Sequence, residues 1–552
     1  MCYNKSMLIR KKLEQILGSK LEHPVREEWG DYSVFAESPE EAEKLIKQIK
    51  QSELNKLIEQ IEVVGKGFIN IRLKVEYLIS QMFPVLNKKT GRVMVEYSSP
   101  NIAKTFGIGH LRSTIIGQAL YNIYKSLGYE VIGDNHLGDW GTQFGKLLYM
   151  LDREKLNAQG ATLCVEDLEK LYVRYHKISE DDKQARKWFK RLEDGDKLAR
   201  KLWEKCVQIS VREFARIYKL LEVKIDNAYG ESFYESLMQE VVADAKTIAR
   251  KSQGALVIDI PGHPPLMLLK SDGGTTYATR DLATLKFRKD KWDPDLIIYE
   301  VGAEQTLHFQ QVFAAARMLG YVREGCSLIH TKHGLYLAEN GKKFRTRTGS
   351  TVNLEEVLRE AITRARNNPA VGIGAIKYFD LSHNVQSDIV FDWEKVMVLQ
   401  GNSGPYLQYT YARAQSVLVR AKGQGLRAKN LAPSTKHLAL NEEELAVLRW
   451  IYRWPEVVEE AGEKLAPNLI CNFIYELAQR FNTFYNKHRI LNITPFDPPL
   501  KLRGGNPALP AGRPKGEGDI GSRDFRLALT EAVGQVLKMG LEMLGIKALE
   551  HM

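Results

Sequence analysis

Arg92-Val93-Met94-Val95-Glu96-Tyr97-Ser98-Ser99-Pro100-Asn101-Ile102-Ala103-Lys104-Thr105-Phe106-Gly107-Ile108-Gly109-His110-Leu111 is the stretch on which the fold turns. Residues 92–98 are a β-type run, and the Pro, Asn and Gly that follow make a loop. Beyond it, Leu111, Ile115, Ile116, Ala119, Leu120, Ile123 and Leu127 recur at three- and four-residue steps, which predicts a helix that Gly128 closes. Residues 129–132 open another strand. Strand, helix and strand within about forty residues make a parallel α/β unit. The loop lies between a strand and a helix N-terminus, where free backbone N–H groups and the helix dipole favour an anion and glycine lets a nucleotide come close. His110 can donate to a phosphate or ribose there, and Lys104 can supply charge. A G-x-G alone does not separate this reading from an ordinary turn capped by a histidine.

Outward from this unit the texture changes in both directions. Residues 1–85 read as a small α+β unit, opening with a helix carrying Leu8, Ile9, Leu13, Ile16 and Leu17 and ending in the alternating Gly67-Phe68-Ile69-Asn70-Ile71-Arg72-Leu73. Residues 86–395 form the α/β core. Its pattern is broken by a densely charged helical insertion at about 150–250, and then resumes with strands at 255–260 and 296–302 and helices at 276–287 and 305–319. Residues 396–552 read as helices except for the Pro/Gly-rich 495–522, a long surface loop. The fold class is thus α/β: a Rossmann-like parallel-sheet core with a helical insertion, a small N-terminal α+β domain and a C-terminal all-α bundle.

The 552 residues are enough for three or four units at about 150 residues each. Hydrophobic residues at 44% and charged residues at 27% exclude disorder and collagen. The 79 Lys+Arg against 68 Asp+Glu leave +11, which points to a polyanionic partner, most simply nucleic acid. Cys2, Cys164, Cys206, Cys326 and Cys471 include no C-x-x-C pair, against a disulfide framework or zinc ribbon and in keeping with a reducing compartment. No apolar run approaches the roughly 18–20 residues of a membrane span, and residues 1–22 lack the apolar core of a secretory signal. The expected location is the cytoplasm.

Two further constellations carry chemistry. Gly341-Lys342-Lys343-Phe344-Arg345-Thr346-Arg347-Thr348-Gly349 follows a strand read at 334–337, and a basic loop near a sheet edge can neutralise a leaving pyrophosphate; a solvated charge run is the bland alternative. Tyr277 and Asp281 share a helix face, Glu96 and Asn101 flank the first loop, and Gln305 starts the helix after 296–302. Strand ends on one edge are where an open α/β sheet holds its ligand. Two carboxylates meeting there suit a guanidinium, which binds carboxylate through two parallel hydrogen bonds. Residues 141–146, Gly-Thr-Gln-Phe-Gly-Lys, lack P-loop spacing.

Residues 96–117 resemble the signature of arginyl-tRNA synthetase, a class I aminoacyl-tRNA synthetase. The resemblance runs nearly the full chain: Gly65-Lys66-Gly67-Phe68-Ile69-Asn70, Asn135-His136-Leu137-Gly138-Asp139-Trp140-Gly141-Thr142-Gln143-Phe144-Gly145, Gly401-Asn402-Ser403-Gly404-Pro405-Tyr406-Leu407-Gln408-Tyr409, Arg526-Leu527-Ala528-Leu529 and Leu544-Gly545-Ile546 are each similar to the family in the right order. It implies a ligase that joins L-arginine to ATP, with Mg²⁺ and no tightly bound protein metal, and releases pyrophosphate. The arginyl group then passes to the terminal 2′-hydroxyl of tRNA(Arg), and activation itself needs tRNA. By motif position it implies an arginine pocket of Glu96, Ser98, Asn101, His110, Tyr277, Asp281 and Gln305, with Asp281 gripping the guanidinium. ATP falls to Lys104, Phe106, Gly107, Gly109 and His110, and catalysis to Lys104, His110, Lys343 and Arg345. The C-terminal bundle is expected to meet the anticodon through Tyr406, Tyr409, Arg413, Phe481 and the terminal Met552, and the protein to be a monomer.

Two departures stand out. Gly107 replaces the first histidine of the class motif His-x-Gly-His, which removes one donor to phosphate. The class's Lys-Met-Ser-Lys-Ser appears as Lys343-Phe344-Arg345-Thr346-Arg347, and the resemblance then shifts the charge to Lys104. Rival readings are another class I synthetase, disfavoured by the absence of a zinc-binding cysteine set, and a tRNA-binding paralogue without chemistry, disfavoured by the retained Lys104, His110, Asp281 and Gln305.

Overall fold

The amphipathic start of the chain folds as α1 (Ile9–Leu17), with Ile9, Leu13 and Leu17 on its buried face and the left-handed Gly18 ending it. The computed structural model describes residues 8–65, 67–156, 163–178, 182–338, 353–426, 439–491 and 520–552. Strands β1 (Tyr32–Phe35), β2 (Ile58–Val64) and β3 (Phe68–Leu73) form an antiparallel sheet in the order β1-β3-β2. Two helices complete this unit: α2 (Pro39–Gln51), capped by the Ser38 hydroxyl, and α3 (Val75–Ser80).

The chain then forms β4 (Arg92–Glu96), the loop and α4 (Ile108–Ser126), followed by β5 (Glu130–Leu137). Helices α5 (Thr142–Arg153), α6 (Val165–Ile178), α7 (Lys183–Glu193) and α8 (Lys197–Leu220) make the charged insertion. After it come β6 (Asn227–Gly230) and α9 (Glu235–Asp244), then β7 (Ala249–Ser252), β8 (Ala255–Ile258) and β9 (Leu266–Leu269). Helix α10 (Tyr277–Trp292), β10 (Leu296–Tyr299), α11 (Thr306–Met318) and β11 (Ser327–His330) close the α/β part.

The parallel sheet runs β11-β10-β4-β5-β6. Its order reverses between β4 and β10, which is the crevice where a doubly wound sheet binds its ligand. Two sequence expectations are corrected here. The run at 255–260 is as apolar as a buried parallel strand, yet β8 pairs antiparallel with β7 and β9 in a separate sheet. The stretch at 150–250 is not helical throughout, because Asn227–Gly230 returns to the parallel sheet as its edge strand beside β5.

The short pair β12 (Tyr336–Leu337) and β13 (Ile389–Val390) joins the chain on either side of α12 (Leu354–Arg364) and α13 (Pro369–Leu381). The C-terminal part is helical: α14 (Trp393–Val396), α15 (Gly404–Gly423), α16 (Glu442–Ile451), α17 (Trp454–Glu463), α18 (Pro467–Lys487) and α19 (Ile520–Met543). Helix α4 is buried on nearly every side because the sheet covers one flank while α13, α17, α18 and α19 pack on the other. The nucleotide-type helix is therefore also the contact between the sheet and the bundle.

Candidate active site

The loop after β4 is strained and locked. Ser98, Ser99 and Ala103 hold φ of 74°, 43° and 60°, left-handed conformations that cost a residue with a side chain on the order of 1–3 kcal/mol each. Three side chains fix them. The Ser98 N–H donates to Ser113 Oγ at 3.0 Å, the Ser99 N–H to Asn135 Oδ1 at 3.0 Å, and the Ala103 N–H to Ser210 Oγ at 2.8 Å. The Ser98 hydroxyl also meets Tyr218 Oη at 2.8 Å. Asn101 is half-buried and pairs by its backbone with Gly138, where an added Cβ would lie 2.0 Å from the Asn101 Oδ1. Glycine at 138 is thus what allows the two motifs to meet.

Helix α4 starts with Gly107 as its cap. The Gly107 N–H donates to Nδ1 of His110 at 3.1 Å, so Nε2 of that ring carries the proton. The Gly107 N–H is used inside the helix start and is not offered to a phosphate in this arrangement. Phe106 is buried, its ring centroid 5.1 Å from that of His110. Gly109 is exposed, and a Cβ there meets nothing within 4 Å, which leaves the backbone open to a close ligand. The Lys104 ammonium lies 6.0 Å from the centroid of Tyr172 on α6. Lys343 and Arg345 lie outside the described residues, but Asn353, just past that loop, bridges Gly107, and the Leu354 N–H donates to the Phe106 carbonyl at 2.9 Å.

Across the switch point stand the acidic groups. Tyr299, at the end of β10, feels the charges of both Glu96 and Asp281. Glu96, however, is buried against an internal guanidinium: Arg288 Nη2 lies 2.5 Å from Glu96 Oε2 and 2.5 Å from Asp134 Oδ2. Burial pulls Arg288 down, but the two carboxylates more than offset it and hold it well above its ordinary range. The guanidinium that Glu96 grips is the chain's own.

Asp281 is half-buried and takes a hydrogen bond at 2.5 Å from Nε2 of His308 on α11. Burial lowers His308, while the hydrogen bond and charge of Asp281 raise it above its ordinary value overall. Tyr277 is exposed at the start of α10, its ring 5.2 Å from the Arg280 guanidinium, and Gln305 is exposed at the turn before α11. One acid escaped the sequence reading. Glu231 is buried, its Oε2 makes no hydrogen bond, and it lies near enough to Asp281 to feel its charge. Burial pushes its carboxyl up to about 7 while Arg280, 3.6 Å away, pulls it back. Asp139 holds the turn that presents it, accepting from the Ser232 N–H at 2.9 Å and hydroxyl at 2.7 Å. Spacing could not reveal this, because Glu231 is some 50 residues before Asp281 and reaches it only through β6.

The strained loop and the helix N-terminus with its imidazole thus follow β4 at the switch point, the place where such sheets hold an anion, and Asp281 and Glu231 lie close enough to feel each other's charge. A family model described as tRNA synthetases class I (R), catalytic domain, matches residues 75–393, and one described as a DALR anticodon binding domain matches residues 407–552. The chain is 36% identical to an arginine–tRNA ligase of Fusobacterium nucleatum, over 99% of this chain and 98% of that one. It is 40% identical to one of Chloroflexus aggregans, over 83% and 79%. The chain belongs to the class I arginyl-tRNA synthetase family. The Thermus thermophilus arginyl-tRNA synthetase superimposes with a TM-score of 0.79 at 25% identity, covering 99% of this chain and 100% of that chain. The Plasmodium falciparum arginyl-tRNA synthetase gives 0.82 at 22% identity over 99% of each, which speaks for the fold alone.

For an arginyl-tRNA synthetase the bundle surface is the second region of interest. Arg413 is stacked between Tyr409 and Tyr485, 4.8 and 4.9 Å from their centroids, and bonds Asn482 Oδ1 at 2.6 Å. Tyr406 is half-buried and accepts from Asn482 at 2.9 Å, while Tyr409 and the terminal Met552 are exposed. Phe481 is fully buried. Its expected role at the anticodon is corrected: the ring packs the bundle and offers no face to a base.

Proposed function

We propose that this chain is an arginine–tRNA ligase that forms arginyl adenylate from L-arginine and ATP and then charges the 3′-terminal adenosine of tRNA(Arg) at its 2′-hydroxyl. What supports this is the strained loop and His110 helix start that follow β4, beside Tyr299 of β10, which feels the charges of both Glu96 and Asp281, with Asp281 in turn near Glu231. Asp281 takes the guanidinium, and His308 yields the carboxylate when the substrate arrives. Glu231, not Glu96, supplies the second negative charge, because Arg288 already neutralises Glu96. A planar fork satisfies both acids where a lysine ammonium cannot. Ser98, Asn101, Tyr277 and Gln305 fix the amino-acid end and mouth of the pocket.

ATP lies over Gly109 with the proton on His110 Nε2 directed at phosphate, and Mg²⁺ enters with the triphosphate. Lys104, Lys343 and Arg345 offset the charge that builds on the departing pyrophosphate. The tRNA is held along the bundle, with Tyr409, Arg413 and Tyr485 as a stacking surface for anticodon bases. The exposed rings of Phe35 and Phe68, 5.2 Å apart on the N-terminal sheet, are a second one. Domains at 1–85, 86–395 and 396–552, a monomer and a cytoplasmic location complete the reading.

The test is ATP–pyrophosphate exchange. Exchange should need both arginine and tRNA(Arg) transcript, with lysine supporting none above background. Folded protein that binds the transcript yet shows no exchange would favour a tRNA-binding paralogue.

A further inference from the structure

Lys377 on α13 is 2% exposed, yet it carries an ammonium group. That group donates to the Leu221 carbonyl and, at 2.5 Å, to the Gly545 carbonyl. Leu221 caps the C-terminus of α8, and Gly545 stands just past the end of α19. Helix C-termini carry partial negative charge and unpaired carbonyls, so one buried cation serves two helix ends that belong to different parts of the molecule.

Helix α8 is the beam beneath the strained loop. Ser210, Phe214 and Tyr218, four residues apart on one face, meet it at three points: the Ala103 N–H, the Phe106 ring at 5.6 Å, and the Ser98 hydroxyl. The far end of α19 is also tied in, with the Asn122 amide of α4 donating to the Glu542 and Met543 carbonyls and Gln408 of α15 to that of Lys547. The terminal segment of the bundle and the beam under the substrates therefore converge on one ammonium.

We propose that Lys377 is a positioning residue that transmits the seating of the bundle's C-terminal segment on tRNA, through α8, to the loop that holds arginine and ATP. This rests on the ligase reading above. Among the charges near it, Glu222 at the end of α8 acts on it directly. The hollow of about 500 Å³ that Gly545 helps to line brings Lys125, Lys224, Lys538, Glu542 and Lys547. Along α13 the next charge, Asp380, is held by Arg112 and Tyr336.

Burial pulls Lys377 down to about 8, with Glu222 pulling back. The sign follows. The folded value lies below the ordinary 10.5, so above about 8 the folded enzyme loses this charge while the unfolded chain keeps its proton. In that window this group adds to stability as the pH rises, but the charge on the two helix ends is gone. Loss of coupling and loss of fold thus run in opposite directions.

The experiment measures tRNA stimulation of arginine-dependent exchange in the parent, Lys377→Met and Lys377→Arg. Lys377→Met should bind tRNA within about threefold of the parent but lose at least about fivefold of the rate at saturating tRNA, the size of a modest coupling. Lys377→Arg should keep more of the rate and, unlike the parent, hold it from pH 7 to 9.5. Folded Lys377→Met with a parental saturating rate would overturn the proposal. If Lys377→Met does not fold, the parent's pH profile decides: tRNA stimulation unchanged from pH 7 to 9.5 overturns it as well. A parent with no tRNA-dependent exchange at all would sink the ligase reading instead.

Discussion

At the scale of single residues, the proposed site turns on which acid is less tightly held: Glu96 and Asp134 share Arg288 at 2.5 Å, whereas Arg280 stands 3.6 Å from Glu231. Glu96 sits at the end of β4, the position where spacing alone would place a ligand group, but its charge is spent on Arg288. Replacing only one partner of such a buried pair strands the other charge, so the triad of Glu96, Arg288 and Asp134 is best seen as the keel of the sheet. Glu231 has the opposite character. Its folded value of about 7 lies above the ordinary carboxyl value of 4.5, so the folded site holds a proton that the unfolded chain releases, and stability falls as pH rises through that window. A guanidinium arriving beside it reverses the preference and expels the proton. Calorimetric titration of arginine at pH 6.5 in two buffers of different ionisation enthalpy should show proton release, of which Glu231 supplies about 0.5–0.8 proton, and Glu231→Gln should remove that share and leave only what His308 gives up on parting from Asp281. Identical heats in the two buffers would remove Glu231 from the pocket.

At the scale of elements, α8 holds the left-handed turns of the loop in place. Ser210→Ala leaves the buried Ala103 N–H without its acceptor, which should cost about 1–3 kcal/mol in denaturant unfolding. An unchanged midpoint would mean that the loop holds itself. The elements were unequally legible in the sequence. The strand, loop and helix of 92–128 could be read because periodicity, glycines and the histidine agree with one another. β6, Asn-Ala-Tyr-Gly, has no β-branched residue and exists only because β5 offers it an edge. β11, Ser-Leu-Ile-His, is too short for alternation to mark it, while β8 has the composition of a parallel strand but pairs antiparallel with β9. Asp281 was legible from its helix face and motif. Glu231 was not, since neither its burial nor its proximity to Asp281 is a property of local sequence.

At the scale of the whole molecule, the N-terminal unit and the helical bundle are joined by polar pairs, buried at Asp31 and Tyr32 and half-buried at Glu27. Asp31 of the N-terminal unit pairs with Arg449 of α16, Tyr32 donates to Glu456 at 2.5 Å, and Arg480 meets Glu27 at 2.6 Å. Buried pairs add little net stability over apolar packing, but they fix one arrangement, because any shift strands a charge. The bundle and the N-terminal sheet are thereby set in one relation, and α4, with the parallel sheet on one side and the bundle on the other, links them to the switch point. The proposed function stands or falls on the groups around that point taking a flat cation beside ATP. Steady-state exchange at saturating tRNA, varying arginine and ATP in turn, tests it in the parent and Asp281→Ala. The account predicts that the KM for arginine rises by at least about a hundredfold, as for a lost charge-assisted contact, while that for ATP stays within about threefold. Equal losses toward both substrates, or an unchanged KM for arginine, would contradict it.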